Sequence, residues 1–435
     1  MLALSDKDKF ATDSIPVYES FLKAIQNWIV CGRYWHMSKL IFSSKCILLT
    51  FQITFNLFQM VSYSIFSAST NKKRIWVLYS FLCLSLLGIG IKHVNFFNKS
   101  TAIVATQTED DQYFNIAVLA DTQYYTGERY GGNMNMFYSQ IDWITANAEK
   151  EKIAYVVHVG DITDQGDKLP EQWERAKDAM YRLEKPLPGL PYGIPYGVAV
   201  GNHDVRPNGD PNGSKIGYTK YFGRKHFEGR PYYGGSYNDA EANDNHYDLF
   251  EVNGEKFIVL YLIFNDPNKK EHYDAALEEN VHHWGAEVLA KHADRKAIVV
   301  SHNILRPDTT SGSNFRAGVG FAPKPGTFTK QGNRIINKFK HSPNVFMMLC
   351  GHVSGEAMRE VKFEGRTIKV LLTDYQGRRN PEYTDKDRNG GNGILRLMKF
   401  NQSKQVLSVR TFIPQKDKIL EEADEDSNFS VPLYN

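Results

Sequence analysis

Five apolar runs in this chain each stop at residues of metal-ligand type, and that series constrains the fold more than any other feature. The runs are Ile116-Ala-Val-Leu-Ala-Asp-Thr-Gln123, Tyr155-Val-Val-His-Val-Gly-Asp-Ile-Thr-Asp164, Val198-Ala-Val-Gly-Asn-His-Asp204, Ala297-Ile-Val-Val-Ser-His-Asn303 and Val345-Phe-Met-Met-Leu-Cys-Gly-His352. Short apolar runs bounded by turn residues read as buried strands. In α/β sheets, ligands bind beyond the carboxyl ends of the strands. Strands that each deliver Asp, Asn, Gln or His at that edge would build one site. Asp161 and Asp164 at the mouth of a buried strand are costly to desolvate without a partner, and a metal ion is the simplest one.

The ligand chemistry sorts these residues. A carboxylate has two oxygens, so Asp161 is the natural bridge between two cations. Asp121 is a second carboxylate, Asn202 and Gln123 offer amide oxygens, and His302 and His352 offer imidazole nitrogen. Mixed imidazole and oxygen donors suit Zn, Fe, Mn or Ni better than Ca. Two such ions clamp both oxygens of an in-line phosphoryl displacement. His203 follows Asn202 directly and could protonate a leaving group or bind a phosphate oxygen. Asp164 could orient it, as a carboxylate orients a catalytic His. His158 lies three residues before Asp161, but strand alternation points it to the other face, which favours a satisfied core histidine over a ligand.

The rest of the chain supplies a scaffold. Helical spacing predicts helices over 135–149, 171–183, 275–292 and 331–340, and Asn253-Gly254 predicts a hairpin between strands at 247–252 and 256–264. Residues 205–245, rich in Gly, Asn, Tyr and Arg, read as a long surface insertion. Residues 305–329 read as a second loop, and further strands are expected at 367–373, 393–400 and 405–412. Tyr232 and Tyr233 beside Arg230 could line a substrate pocket or pack a loop core. Glu421 to Asp426 reads as a solvated acidic segment. The cysteines are Cys31, Cys46, Cys83 and Cys350, too few and too scattered for a disulfide framework or a Cys-x-x-Cys zinc site. A net charge of +3 gives no basic stripe, so no nucleic-acid partner is expected.

The N-terminal part differs in kind. Residues 1–74 form an extension in which Ile47–Ser69 reads either as a membrane-associated helix or as an amphipathic upstream extension. Lys72-Lys-Arg74 then precedes the uncharged run Ile75–Ile91, which reads as a signal anchor or signal-peptide core. Residues 92–112 read as a linker, and 113–435 as the folded domain. This layout predicts an exported protein, membrane-anchored through 75–91 or released to the periplasm or exterior.

The motifs Asp121-Thr-Gln, Gly160-Asp-Ile-Thr-Asp-Gln-Gly166, Gly201-Asn-His-Asp204, Ser301-His-Asn303 and Gly351-His-Val-Ser-Gly355 together resemble the calcineurin-like metallophosphoesterases. They are most similar to an exported bacterial branch whose first motif is Asp-Thr-Gln. The likeness extends to Asp374-Tyr-Gln376 and to about Leu433. It implies a four-layer α/β/β/α sandwich and a hydrolase of phosphate mono- or diesters, in which a metal-activated water attacks phosphorus. It also implies two divalent ions (Mn, Fe, Zn or Mg). Matched motif by motif, Asp121 and Gln123 would serve the first ion and Asp161 would bridge. Asn202, His302 and His352 would bind the second ion, and His203 with Asp164 would assist the leaving group. Gln123 stands where many members have His, and Ser354 stands where the last motif usually has a second His. The first ion therefore loses its imidazoles. That departure supports one rival expectation, a catalytically weak metal-binding module; a nuclease-type phosphodiesterase, which also uses two metals, is another, and the near-neutral charge counts against it.

Overall fold

A computed structural model describes residues 112–308, 325–377, 389–415, 418–421 and 427–434. They fall in a compact unit spanning Gln107–Asn435. The extension, the Ile75–Ile91 run and most of the linker lie outside the described residues. No helix among the described residues is long and apolar enough to cross a membrane.

Two seven-stranded sheets form the body. The first has the order β15-β14-β13-β1-β2-β3, with β16 also pairing with β14. Its parallel centre is β1 (Tyr113–Leu119), β2 (Ile153–His158) and β3 (Tyr196–Val198), and β13 (Leu395–Asn401) lies antiparallel against β1. β14 (Val406–Gln415), β15 (Lys418–Glu421) and β16 (Phe429–Pro432) extend that edge. The second sheet has the order β11-β12-β10-β7-β6-β5-β4. Here β6 (Glu255–Leu262), β7 (Lys296–Ser301), β10 (Val345–Cys350) and β12 (Arg366–Asp374) run parallel, whereas β4 (Tyr233–Ser236), β5 (His246–Val252) and β11 (Gly355–Phe363) are antiparallel edges. A small ribbon pairs β8 (Leu305–Pro307) with β9 (Gly326–Phe328).

Strand alternation explains the layering. Ile116 and Val118 of β1, Tyr155 and Val157 of β2, Val259 of β6 and Ile298 of β7 are buried in one cluster between the sheets. Phe114 stacks on Phe400 there, with ring centroids 4.9 Å apart. The opposite faces meet helices. After the short α1 (Gln123–Thr126), Ala117, Leu119 and Val156 pack with α2 (Met134–Asn147) and α3 (Glu171–Met180) through Phe137, Ile141 and Trp173. Ile258, Leu260 and Val299 pack with α6 (Ala275–Lys291) and α7 (Lys330–Phe339) through Val281, Leu289 and Phe339. The result is helices, sheet, sheet, helices. Side-chain caps start three of these helices: Asn133 accepts from the Asn135 amide, Asp274 from Leu277 and Thr329 from Gly332.

One expectation needs correction. Residues 205–245 do not form a surface insertion. They carry α4 (Ile216–Phe222), α5 (Arg224–Phe227) and the edge strand β4. Tyr218, Phe222, Phe227 and Tyr232 are buried in the helix-side core, with Phe222 beside Trp173. Frequent Gly and Asn hid aromatic spacing that buries well. Tyr232 and Arg230 belong to this packing: Arg230 pairs with Glu184 at 3.1 Å. The hairpin expectation holds, because Asn253 (φ 52°) and Gly254 (φ 77°) both adopt the left-handed conformation that a tight turn between β5 and β6 requires. β11, with its charged outer face, and the short β15 and β16 are additions to the sequence-based strands. β15 reaches Glu421, the first residue of the expected acidic segment.

Candidate metal centre

The site residues sit at the C-terminal ends of parallel strands, but of two sheets rather than one. Asp121 follows β1, Asp161 and Asp164 follow β2, and Asn202 and His203 follow β3, all in the first sheet. His302 follows β7 and His352 follows β10 in the second. Hydrogen bonds across the gap join the edges. The His302 Nδ1–H donates to the Val159 carbonyl at 2.9 Å, and the His352 amide lies 3.2 Å from Asp121 Oδ2.

The glycines of the motifs have a steric reason. A Cβ on Gly201 would lie 2.1 Å from Asp161 Oδ1, and one on Gly351 would lie 2.1 Å from Asp121 Oδ1. Each carboxylate therefore occupies the space a side chain on the next loop would need. Asp161 (φ 53°) and His352 (φ 75°) are held in the left-handed region, which costs a non-glycine residue on the order of 1 kcal/mol or more and clusters at functional sites.

Ligand atoms of Asp161, His302 and His352 all lie within 4.8 Å of one another. His302 Nε2 is 3.1 Å from Asp161 Oδ2 and 3.8 Å from Asp121 Oδ2. The Val159 carbonyl holds the other ring nitrogen, so Nε2 is the atom presented to the carboxylates. Burial raises the Asp161 carboxyl, but His302, His203 and His352 outweigh it and hold it below the usual range. His302 moves the opposite way: burial lowers it, and Asp161 more than compensates. His352 is pushed down to about 3 by burial and by the charge of His302. Asp121 is raised well above the usual range by burial and by the charges of Asp374 and Asp161.

These residues fit a divalent cation. His302 Nε2, Asn202 Oδ1 and Gln123 Oε1 are buried without a hydrogen-bond partner, as is Ser354 Oγ. Buried polar atoms are nearly always satisfied, so a cluster of unsatisfied donor atoms around converging carboxylates calls for a cation. Asn202, Asp161, His302 and His352 could hold one ion. Asp121, Gln123 and Asp161 could hold another, with no imidazole among them.

His203 adjoins this centre. Its amide donates to Asp161 Oδ1 at 2.8 Å. Its Nδ1–H donates to the backbone carbonyl of Asp164 at 2.8 Å, while the Asp164 carboxylate is 3.4 Å away. Asp164 thus orients the ring mainly through its main chain. Its carboxylate is held by Arg129 at 2.7 Å and by Gln165 at 3.0 Å. Burial lowers His203, but Asp161 and Asp164 overcome it and raise the ring to about 9.

His158 is excluded as a ligand. Its Nε2 pairs with Thr122 Oγ1 at 2.9 Å and its Nδ1 accepts the Gly160 amide at 3.2 Å. Cys350 is a core thiol, pushed up to about 12 by burial. Asp374 lies beside these residues and was not singled out from the sequence. It ends β12, is fully buried, and faces Asp121. The signal was present: 368–374 is another strand-like run ending in a carboxylate, quoted above as Asp374-Tyr-Gln376 without a role.

The family model for calcineurin-like phosphoesterases matches residues 114–354. The chain belongs to the calcineurin-like phosphoesterase family. It is 35% identical over 328 residues to the uncharacterized protein YvnB of Bacillus subtilis, which covers 72% of this chain. The chain spans about a fifth of that relative's length, 21%. Among solved structures, it resembles a dimetal phosphatase from Danio rerio (13% identity, TM-score 0.40, covering 74% of this chain and 99% of that one). It also resembles the phosphopantetheinyl hydrolase of Mycobacterium tuberculosis (12% identity, TM-score 0.30, covering 61% and 90%).

Proposed function

We propose that this chain hydrolyses phosphate esters with the help of two divalent cations held between its two sheets. Asp161 would lie between them, Asp121 and Gln123 would serve the first, and Asn202, His302 and His352 would serve the second. When bound, such ions supply Lewis-acid charge to a phosphoryl group and lower the pKa of a water toward ~7. The chain's own residues do the rest. His203 has Nδ1 committed to the Asp164 carbonyl, which leaves Nε2 as the atom that would deliver a proton to the leaving oxygen. Arg129 holds the Asp164 carboxylate and remains about half exposed, which fixes the loop under His203.

The observation that carries this reading is the convergence of Asp161, His302 and His352 with the unsatisfied donor atoms of His302 and Asn202. The test is hydrolysis of p-nitrophenyl phosphate and bis-p-nitrophenyl phosphate by the full chain, after chelation and after each metal is added back. Metal-restored hydrolysis supports the reading, and the preferred ester shows whether monoesters or diesters are the substrate class. Metal binding without hydrolysis of either ester would instead favour the weak metal-binding module.

Export is proposed from Lys72-Lys-Arg74 before Ile75–Ile91, with 113–435 as the catalytic domain. Alkaline phosphatase fused after residue 110 should be active outside a bacterial cytoplasm. Activity of a matching cytoplasmic reporter instead would overturn it.

A further inference from the structure

The first half of the site lacks both imidazoles, yet it is not short of charge. Asp374 extends from the end of β12, parallel to β10, so the same edge that presents His352 presents this carboxylate. Its Oδ2 and Asp121 Oδ2 share a single amide nitrogen: Gln376 Nε2 lies 2.8 Å from the first and 3.5 Å from the second. The Gln376 carbonyl oxygen in turn accepts from Gln123 Nε2 at 2.6 Å, and that same Gln123 nitrogen lies 3.4 Å from Asp161 Oδ2. Three buried carboxylates thus surround one pair of amides. The Gln123 side-chain Oε1, fully buried, has no partner. Ser354 is small enough to admit this arrangement: a Cβ on Gly377 would lie 2.4 Å from Ser354 Oγ, so the turn carrying Gln376 packs against the serine.

We infer that Asp374 is a ligand of the first ion, replacing an imidazole with a carboxylate, and that the Gln376 amide occupies the space between Asp374 and Asp121 until the ion binds. The inference rests on the two-cation reading above. An all-oxygen shell selects oxygen-preferring ions such as Mn or Mg over Zn or Fe. Asp374 thereby changes the identity of the first ion without removing the half-site.

The test uses the full chain stripped with chelator and titrated with Mn2+ by calorimetry, with bound ions counted by plasma emission spectrometry after dialysis. Wild type should take up two ions in separate steps. Asp374→Asn, which keeps the shape and removes the charge, should weaken the first-ion step about 10–100-fold while the second ion stays bound. Gln376→Glu, which adds a carboxylate beside Asp374, should tighten the first step by about tenfold or more. Two unchanged steps in either variant would overturn the inference. Asp161→Asn separates the two failures. If it abolishes both steps while Asp374→Asn changes neither, only the role of Asp374 falls. If Asp161→Asn still binds two ions, the two-cation reading falls with it.

Discussion

The two proposed halves of the site lie where the strand ends of the two sheets meet and would share Asp161, yet they offer a cation different chemistry. The half containing Asn202, His302 and His352 has borderline nitrogen donors, with His302 fixed by the Val159 carbonyl. The half containing Asp121, Gln123 and Asp374 has oxygen alone, with amides now bridging its carboxylates. Both are largely buried, so burial does not distinguish them. Donor type does, and it should decide which ion stays and which leaves.

Removing the shared residue should erase the comparison. Asp161→Asn takes the bridge from both halves, so both ions and all ester hydrolysis should go, as read by metal analysis beside the chromogenic assay. Retention of either ion would show that one half stands without the bridge. Next in size is His203→Ala, which removes a group assigned to proton delivery and not to ligation. Turnover should fall about 10²–10⁴-fold with ion content unchanged. Parallel loss of metal would place His203 among the ligands.

Ser354→His should make the halves more alike. It restores an imidazole to the oxygen-only side, so occupancy of the first ion should rise and preference should move toward Zn or Fe. Competitive Mn–Zn dialysis of both proteins measures this, and an unchanged preference would mean that residue 354 does not reach the ion. The smallest effect concerns a buried carboxylate outside the site. Asp248 accepts from the Tyr155 hydroxyl and keeps an unsatisfied oxygen, but it belongs to no cluster of metal donors among the described residues. Burial raises it to about 8, against the opposing influences of Tyr155 and Arg230. A folded-state pKa above the unfolded value means that its contribution is fully present below about pH 4 and is lost as pH rises toward 8. Asp248→Asn should flatten that decline in denaturant midpoint between pH 4 and 8. An unchanged slope would show that other groups set it.

Most of the candidate site was legible because the residues that converge there end local apolar runs, which the sequence displays. Strand partnership is not local, and that is where legibility stopped. Nothing near Leu395 says that β13 inserts beside β1, or that the motifs divide between two sheets. Asp374 escaped although its strand was expected, because its meaning depends on Gln123 and Asp121, some 250 residues earlier. Residues 205–245 misled through composition, since Gly and Asn mask the buried Tyr218, Phe222 and Phe227.

The inequality of the two halves is tested most directly by counting ions. The full chain is purified, dialysed against metal-free buffer and analysed for bound metal per chain, before and after Mn2+ is restored. An unequal site predicts closer to one ion than two after dialysis, with Mn2+ returning both the missing ion and ester hydrolysis. Two ions that survive dialysis, with no gain in rate on adding Mn2+, would contradict it.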